Sequence, residues 1–291
     1  MNNINTLATH IISDENNFEF SAAEYSKFKY GSSKIGYKFG DDLFKKLIEL
    51  KSKELLLYKK IYVFTSPYDF IPTATNTIFK SFFENLSKYL NGKCAVEKRK
   101  IHRNTTYTED YGALSKEERF NLISKDVFEI NNNFNGDELL IFLDDIKITG
   151  SHEFVVKKTL IENQIENDVF FLYHAILENK NIDPTFENYL NYNYVKGVDE
   201  VIQLHNESDF VLNTRFTKFI LSLKDEELNF FVSKIKPDKL KTIIFSSKGN
   251  GYNKIPKYLG KIKILIKLQK RNNVTRKIIT RIINQNNIES E

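Results

Sequence analysis

The chain predicts an α/β protein: an open parallel sheet with helices on both faces, followed by a helical, basic C-terminal appendage. Three observations predict this. Apolar runs of strand length alternate with stretches of helical periodicity, in the order strand–helix–strand–loop–helix–strand–helix–strand. The central run, Leu139 to Leu143, is apolar throughout, as in a strand buried on both faces, and ends at Asp144 and Asp145 before a Thr149-Gly150-Ser151 turn. Charge is also uneven: residues 254–288 carry ten Lys or Arg and no Asp or Glu, although the whole chain is only +5.

Taken in order, residues 1–38 are polar and irregular, with Phe18, Phe20, Tyr25, Phe28 and Tyr30 as aromatic entries, and read as an N-terminal extension or hood. Gly40-Asp41-Asp42 precedes Leu43, Phe44, Leu47, Ile48 and Leu50, whose spacing predicts an amphipathic helix with acidic residues at its start. Lys60 to Ser66 reads as a core strand, broken at Pro67 and again at Pro72. Thr75 or Asn76 caps the next helix, where Ile78, Phe82, Phe83, Leu86 and Leu90 recur at helical spacing. Cys94-Ala95-Val96 is a short strand leading to a basic stretch, Lys98 to Arg103, and a polar loop to Tyr111. Ser115 and Glu118 have the spacing of a capping box. Residues 128–136 form a turn-rich connector into the central strand.

Beyond the turn, a helix is predicted from His152 to about Glu166 and a core strand over Asp168 to Leu177. Val201 to Leu204 suggests a further strand. Phe216 to Leu223 and Glu226 to Ile235 read as helices, and Ile243 to Phe245 as part of another. Lys261 to Leu268 alternates partly like a strand, yet its length suits a helix. Val274, Ile278, Ile279, Ile282 and Ile283 then recur at helical spacing.

Bulk composition narrows the class. With 291 residues, 41% hydrophobic, 24 Phe and 15 Tyr, the chain can bury a substantial core and is not a disordered polymer. The single cysteine, Cys94, excludes an internal disulfide framework and a cysteine-based zinc site. No apolar window approaches transmembrane length, and residues 1–12 lack the pattern of a secretory leader, so a soluble cytoplasmic protein with no membrane partner is expected.

The chemistry concentrates in Leu139 to His152. A strand that ends in two carboxylates places them at the carboxyl edge of a parallel sheet, where such sheets bind ligands. Thr149, Gly150, Ser151 and His152 fall at a helix N-terminus, whose unpaired N–H groups and dipole favour a phosphate. Acids beside a phosphate cradle suit a ligand with hydroxyls or a metal ion at one end and a phosphate at the other.

This segment resembles the phosphoribosyl-pyrophosphate (PRPP) motif of the type I phosphoribosyltransferases: an apolar strand, two acids, a short spacer and a Thr-Gly pair opening a helix. The similarity covers roughly residues 35 to 220; outside the motif it rests on element order. It implies a phosphoribosyltransferase-like domain over residues 1–222 and a helical basic region over 223–291. In its terms Asp144 and Asp145 are the catalytic pair. They contact the ribose hydroxyls and hold Mg2+, directly or through substrate or water. Ile148, Thr149, Gly150, Ser151 and His152, with Lys147 beside them, receive the 5′-phosphate. His152 stands where the family often has Thr.

The resemblance further implies a pyrophosphate loop at Thr65, Ser66, Pro67 and Tyr68, although residues 65–75 contain no Lys or Arg, where family members often have a basic residue or a glycine pair. A mobile loop carrying Lys98, Lys100, Arg103 and Tyr107 would supply the positive charge. The implied activity is that of a glycosyltransferase acting on PRPP or a related ribose phosphate. It transfers phosphoribosyl to a nucleobase-like acceptor, not identified by the sequence, and releases pyrophosphate. The alternative is a non-catalytic PRPP or nucleotide sensor, with residues 254–288 meeting nucleic acid or a protein partner; a homodimer is compatible with either.

Overall fold

A computed structural model describes residues 3–103, 114–115, 117–118, 121, 128–129 and 134–271. Five strands form one sheet: β1 (Ile4–Ile12), β2 (Lys60–Phe64), β3 (Ala95–Arg99), β6 (Glu138–Lys147) and β7 (Asp168–Leu177), in the order β1-β7-β6-β2-β3. Every neighbouring pair is parallel. A short antiparallel pair, β4 (His102–Arg103) with β5 (Phe128–Glu129), lies apart from it. The expected α/β architecture is therefore present.

Side-chain alternation along the strands explains the layering, because successive residues point to opposite faces. Leu139, Ile141 and Leu143 of β6, with Ile61, Val63, Phe170 and Leu172, join one core. That face is covered by α1 (Ala22–Lys29), α2 (Ser33–Leu55) and α3 (Thr75–Tyr89). Leu140 and Phe142, with Tyr62, Phe64, Phe171 and Tyr173, join the opposite core under α4 (Ser151–Glu162).

Residues 1–38 depart from the expectation of an irregular extension. Ile4 to Ile12 pair with β7 and become an edge strand of the sheet. An edge strand has one open side and half its residues near solvent, so its apolar content is too diluted to read as a core run. α2 also begins at Ser33, before the Gly40-Asp41-Asp42 stretch read as preceding it. Gly36 and Gly40 lie inside the helix because α3 passes against them. A Cβ on Gly36 would fall 1.9 Å from Thr77 Oγ1, and one on Gly40 2.4 Å from the Ile78 carbonyl oxygen. Close helix packing here outweighs the helix cost of glycine, about 1 kcal/mol each.

The C-terminal half is helical: α5 (Phe186–Asn191), α6 (Val198–Asn206), α7 (Thr214–Ser222), α8 (Asp225–Lys234), α9 (Pro237–Gly249), a 3-10 turn at Tyr252–Lys254 and α10 over 256–271. Val201 to Leu204 is thus helix, not strand. Val201 and Leu204 are buried while Gln203 makes a polar contact with Tyr194, which is a one-sided helical pattern too short to identify from four residues. The Gly197 N–H donates to Glu200 Oε2 at 2.8 Å and fixes its start. A separate core runs from Val195 to Leu265 and takes in Tyr30 and Ile71 from the sheet layer. The 261–268 segment is helical; residues 272–291 lie outside the described residues, as do most of 104–133. No helix among the described residues is long and apolar enough to cross a membrane.

Hydrogen bonds tie the bundle to the sheet layer. Asp209 accepts from Ser32 Oγ at 2.7 Å and from the Lys34 N–H at 3.0 Å, capping α2 from a distance. Asn250 Oδ1 accepts the Phe70 and Ile71 N–H groups at 3.1 and 2.8 Å, and the Thr214 N–H donates to the Pro72 carbonyl at 3.0 Å. The loop after β2 is therefore held by the bundle.

Candidate functional site

Strand order reverses between β2 and β6: the chain proceeds from β2 to β3 on one side and from β6 to β7 on the other. Ligands of open α/β sheets sit at such a switch point, outside the carboxyl ends of the strands. Asp144 and Asp145 lie there. A cavity of about 310 Å³ opens over them, between the sheet layer and the C-terminal bundle.

The pleat separates the two acids. Asp145 continues the Leu139–Ile141–Leu143 series and enters the α1 side, where it is buried. Its Oδ2 accepts the Tyr25 hydroxyl at 2.7 Å and pairs with the Lys29 ammonium. Burial alone would raise the Asp145 carboxyl. The Lys29 charge, with hydrogen bonds from Lys29 and Tyr25, outweighs that and holds it well below the usual carboxylate range. Burial beside this carboxylate drives the Tyr25 hydroxyl in the other direction, well above its ordinary value.

Asp144 continues the Leu140–Phe142 series and stays partly open to the cavity. Its Oδ1 accepts Ser66 Oγ at 2.7 Å, and its Oδ2 lies 3.2 Å from His152 Nδ1. Thr75 Oγ1 stands 3.4 Å from a carboxylate oxygen of each acid. The ends of β2, β6, α3 and α4 thus converge on one carboxylate.

The turn after β6 has the geometry of an anion cradle. Gly150 adopts φ +75° and serves as the N-cap of α4, a left-handed conformation that glycine takes without strain. Thr149 Oγ1 and Ser151 Oγ lie 2.7 Å apart, so both hydroxyls are collected at the helix mouth. Ile148 packs its side chain against the sheet core and offers backbone only. Lys147 does not project into solvent: its Nζ donates to Glu153 Oε2 at 2.7 Å. Burial would raise the Glu153 carboxyl, but hydrogen bonds from Lys147 and Lys157 keep it below its ordinary value. The same carboxylate accepts the Tyr173 hydroxyl at 3.0 Å.

The other expected residues are dispersed. Ser66 reaches Asp144, whereas the Thr65 hydroxyl is buried and Pro67 lines a small cleft beside His152. Tyr68 lies under the Lys100 ammonium, 4.7 Å from its ring centroid, and Lys100 donates to the Asp69 carbonyl at 3.1 Å. Lys98 is exposed on β3, and Lys98 and Lys100 do not line the cavity above Asp144. The Arg103 side chain and Tyr107 fall outside the described residues.

Sequence reasoning missed the cavity's cations. Lys29 ends α1, Arg215 and Lys218 sit on α7, and Lys257 on α10; all line the cavity with Asp144 and residues 147–152. Two weak signals were available: Tyr25 and Lys29 share a helix face at i,i+4, and Arg215 and Lys218 share one at i,i+3. Neither indicates what it faces.

Of the comparisons with known proteins, the family model agrees with the motif. The family model described as PRTase ComF-like matches residues 4–265. No curated protein matches the chain. Among solved structures, a hypoxanthine phosphoribosyltransferase from Staphylococcus aureus is similar at 8% identity, over 48% of this chain and 74% of that chain, with a TM-score of 0.30.

Proposed function

We propose that this chain, which belongs to the PRTase ComF-like family, binds PRPP or a related ribose phosphate in the cavity above β6. The 5′-phosphate sits on the Thr149–His152 turn, the ribose hydroxyls face Asp144, and the pyrophosphate end extends toward Arg215, Lys218 and Lys257. The observation that carries this reading is the left-handed Gly150 at the mouth of α4, with Asp144 and these cations around the same cavity. The cations answer a need that the loop after β2, without Lys or Arg, cannot meet.

In the catalytic form of the proposal, a nitrogen nucleophile bonds to the anomeric carbon. The pyrophosphate leaves with the electron pair of the broken C–O bond, and the nucleophile's proton passes to solvent. Charge grows on the departing group, where cations held in place by the fold are most effective. A specific observation favours the second reading, a ribose-phosphate sensor without turnover: Asp145, the second acid of the motif, is already neutralised by Lys29. Fold and family do not choose between them.

Calorimetric titration of the full chain with PRPP tests the site. Wild type should bind, and Asp144→Asn should lose about tenfold or more, the value of one charge-assisted hydrogen bond. A folded wild type that ignores PRPP overturns the proposal. Pyrophosphate release against a panel of nitrogenous bases then separates enzyme from sensor.

A further inference from the structure

A magnesium ion held through the acid pair does not fit the residues present. Mg2+ requires near-octahedral oxygen ligands at about 2.0–2.1 Å and surrenders its waters reluctantly. Asp145 Oδ2 is shared by Lys29 and Tyr25, and the Asp144 oxygens are engaged by Ser66, His152 and the Asp145 N–H, the last at 3.0 Å. A cation arriving beside Asp145 would also meet the Lys29 charge. The Lys29 and Asp145 side chains are only 12% and 8% exposed, so water screens little of that repulsion.

Lys29 is built into this position. It is the last residue of α1, where the negative end of the helix dipole favours a cation. Asn213 Nδ2 donates to the Lys29 carbonyl at 3.1 Å, so the bundle fixes its backbone. Its side chain also lines the cavity. An ammonium has three donors, and only one is needed for Asp145.

We infer that Lys29 is a resident substitute for the divalent cation: its ammonium neutralises the acid pair and donates to a ribose hydroxyl, so sugar phosphates bind with no metal on the protein's carboxylates. This rests on the ribose-phosphate reading for its ligand, but not for its effect on metal binding. Two measurements on the full chain test it.

The first uses ribose 5-phosphate, which lacks the pyrophosphate that would carry magnesium with it. Wild-type affinity should be the same, within about twofold, in EDTA and in Mg2+. Lys29→Gln, which retains a hydrogen bond to Asp145 but removes the charge, should bind about tenfold more weakly in EDTA and recover with Mg2+. A wild type that needs Mg2+, or a Lys29→Gln variant indifferent to it and unweakened, overturns the inference. The second follows Mn2+ by electron paramagnetic resonance with no sugar present. Lys29→Gln should bind Mn2+ more tightly than wild type, and Lys29→Gln/Asp145→Asn should lose that gain. Equal Mn2+ binding by wild type and Lys29→Gln overturns it. If ribose 5-phosphate fails to bind wild type, the proposed function falls, while the Mn2+ comparison still decides the role of Lys29.

Discussion

The floor and the roof of the cavity are built by different means. The floor is the carboxyl edge of the sheet and the turn into α4: hydroxyls, backbone N–H groups and one accessible carboxylate, all within ten residues of one another. The roof is a helical bundle with a core of its own, which contributes Arg215, Lys218 and Lys257 from well-separated positions. The floor is rigid because strands buried on both faces hold it. The roof is joined to it by a handful of hydrogen bonds and by Tyr30 and Ile71. The cavity wall is thus complete only when two separately packed layers meet, and Lys29 stands where they do.

The largest expected effect concerns that junction. Lys29→Met leaves the buried Asp145 carboxylate without its partner charge and should cost about 3–5 kcal/mol, seen as a lower urea midpoint. Lys29→Met/Asp145→Leu, which removes both charges, should recover most of the loss. If the single variant is as stable as wild type, the floor does not depend on this pair.

Acid should separate the two layers. His174 in β7 is buried against Phe39, and burial lowers its pKa to about 3; His205 in α6 is lowered to about 4 by burial, with Lys239 adding to it. Both folded values lie below the unfolded one, so the unfolded chain binds more protons between them. Stability is then fully present above about pH 6.5 and falls toward pH 3–4, by up to about 1.4 kcal/mol per pH unit per histidine. His174→Leu should flatten the acid limb for the sheet layer and His205→Leu for the bundle, read by hydrogen exchange in each. An unchanged acid limb in both variants removes the explanation.

Gly36→Ala should disturb the sheet layer alone. Its new methyl group would collide with Thr77, for about 1–3 kcal/mol of overpacking. Thermal melting with and without Thr77→Gly, which removes both the Oγ1 at 1.9 Å and the Cβ at 2.6 Å, would show the strain being relieved. Asn250→Ala acts on the latch instead, stranding the Phe70 and Ile71 N–H groups at about 1–3 kcal/mol. Hydrogen exchange should quicken in the loop after β2 and stay slow in β6.

The smallest effect sharpens the division of labour. Lys218→Ala should weaken PRPP by about tenfold or less while leaving ribose 5-phosphate nearly unchanged, because in the proposed pose only PRPP would extend to the roof. Equal weakening of both ligands would place the pyrophosphate end elsewhere.

The sequence by itself determined the floor. An unbroken apolar strand, two acids, a spacer and Thr149-Gly150 are contiguous, so local rules of strand burial, glycine conformation and helix termini suffice to read them. It also determined the strands and helices that have one strong period, such as β2, β7, α3 and α7. The edge strand β1 and the early start of α2 escaped because their reasons are tertiary: a partner strand in one case and the backbone of α3 in the other. The pleat sets adjacent Asp144 and Asp145 on opposite faces, but only the tertiary structure decided what each meets: Ser66 and His152 for one, Lys29 and Tyr25 for the other. It also decided that Arg215, Lys218 and Lys257 share the cavity. Electrostatic partners are set by distance through space, and a distance spanning 116 residues of chain, as between Lys29 and Asp145, leaves no local trace in the order of residues.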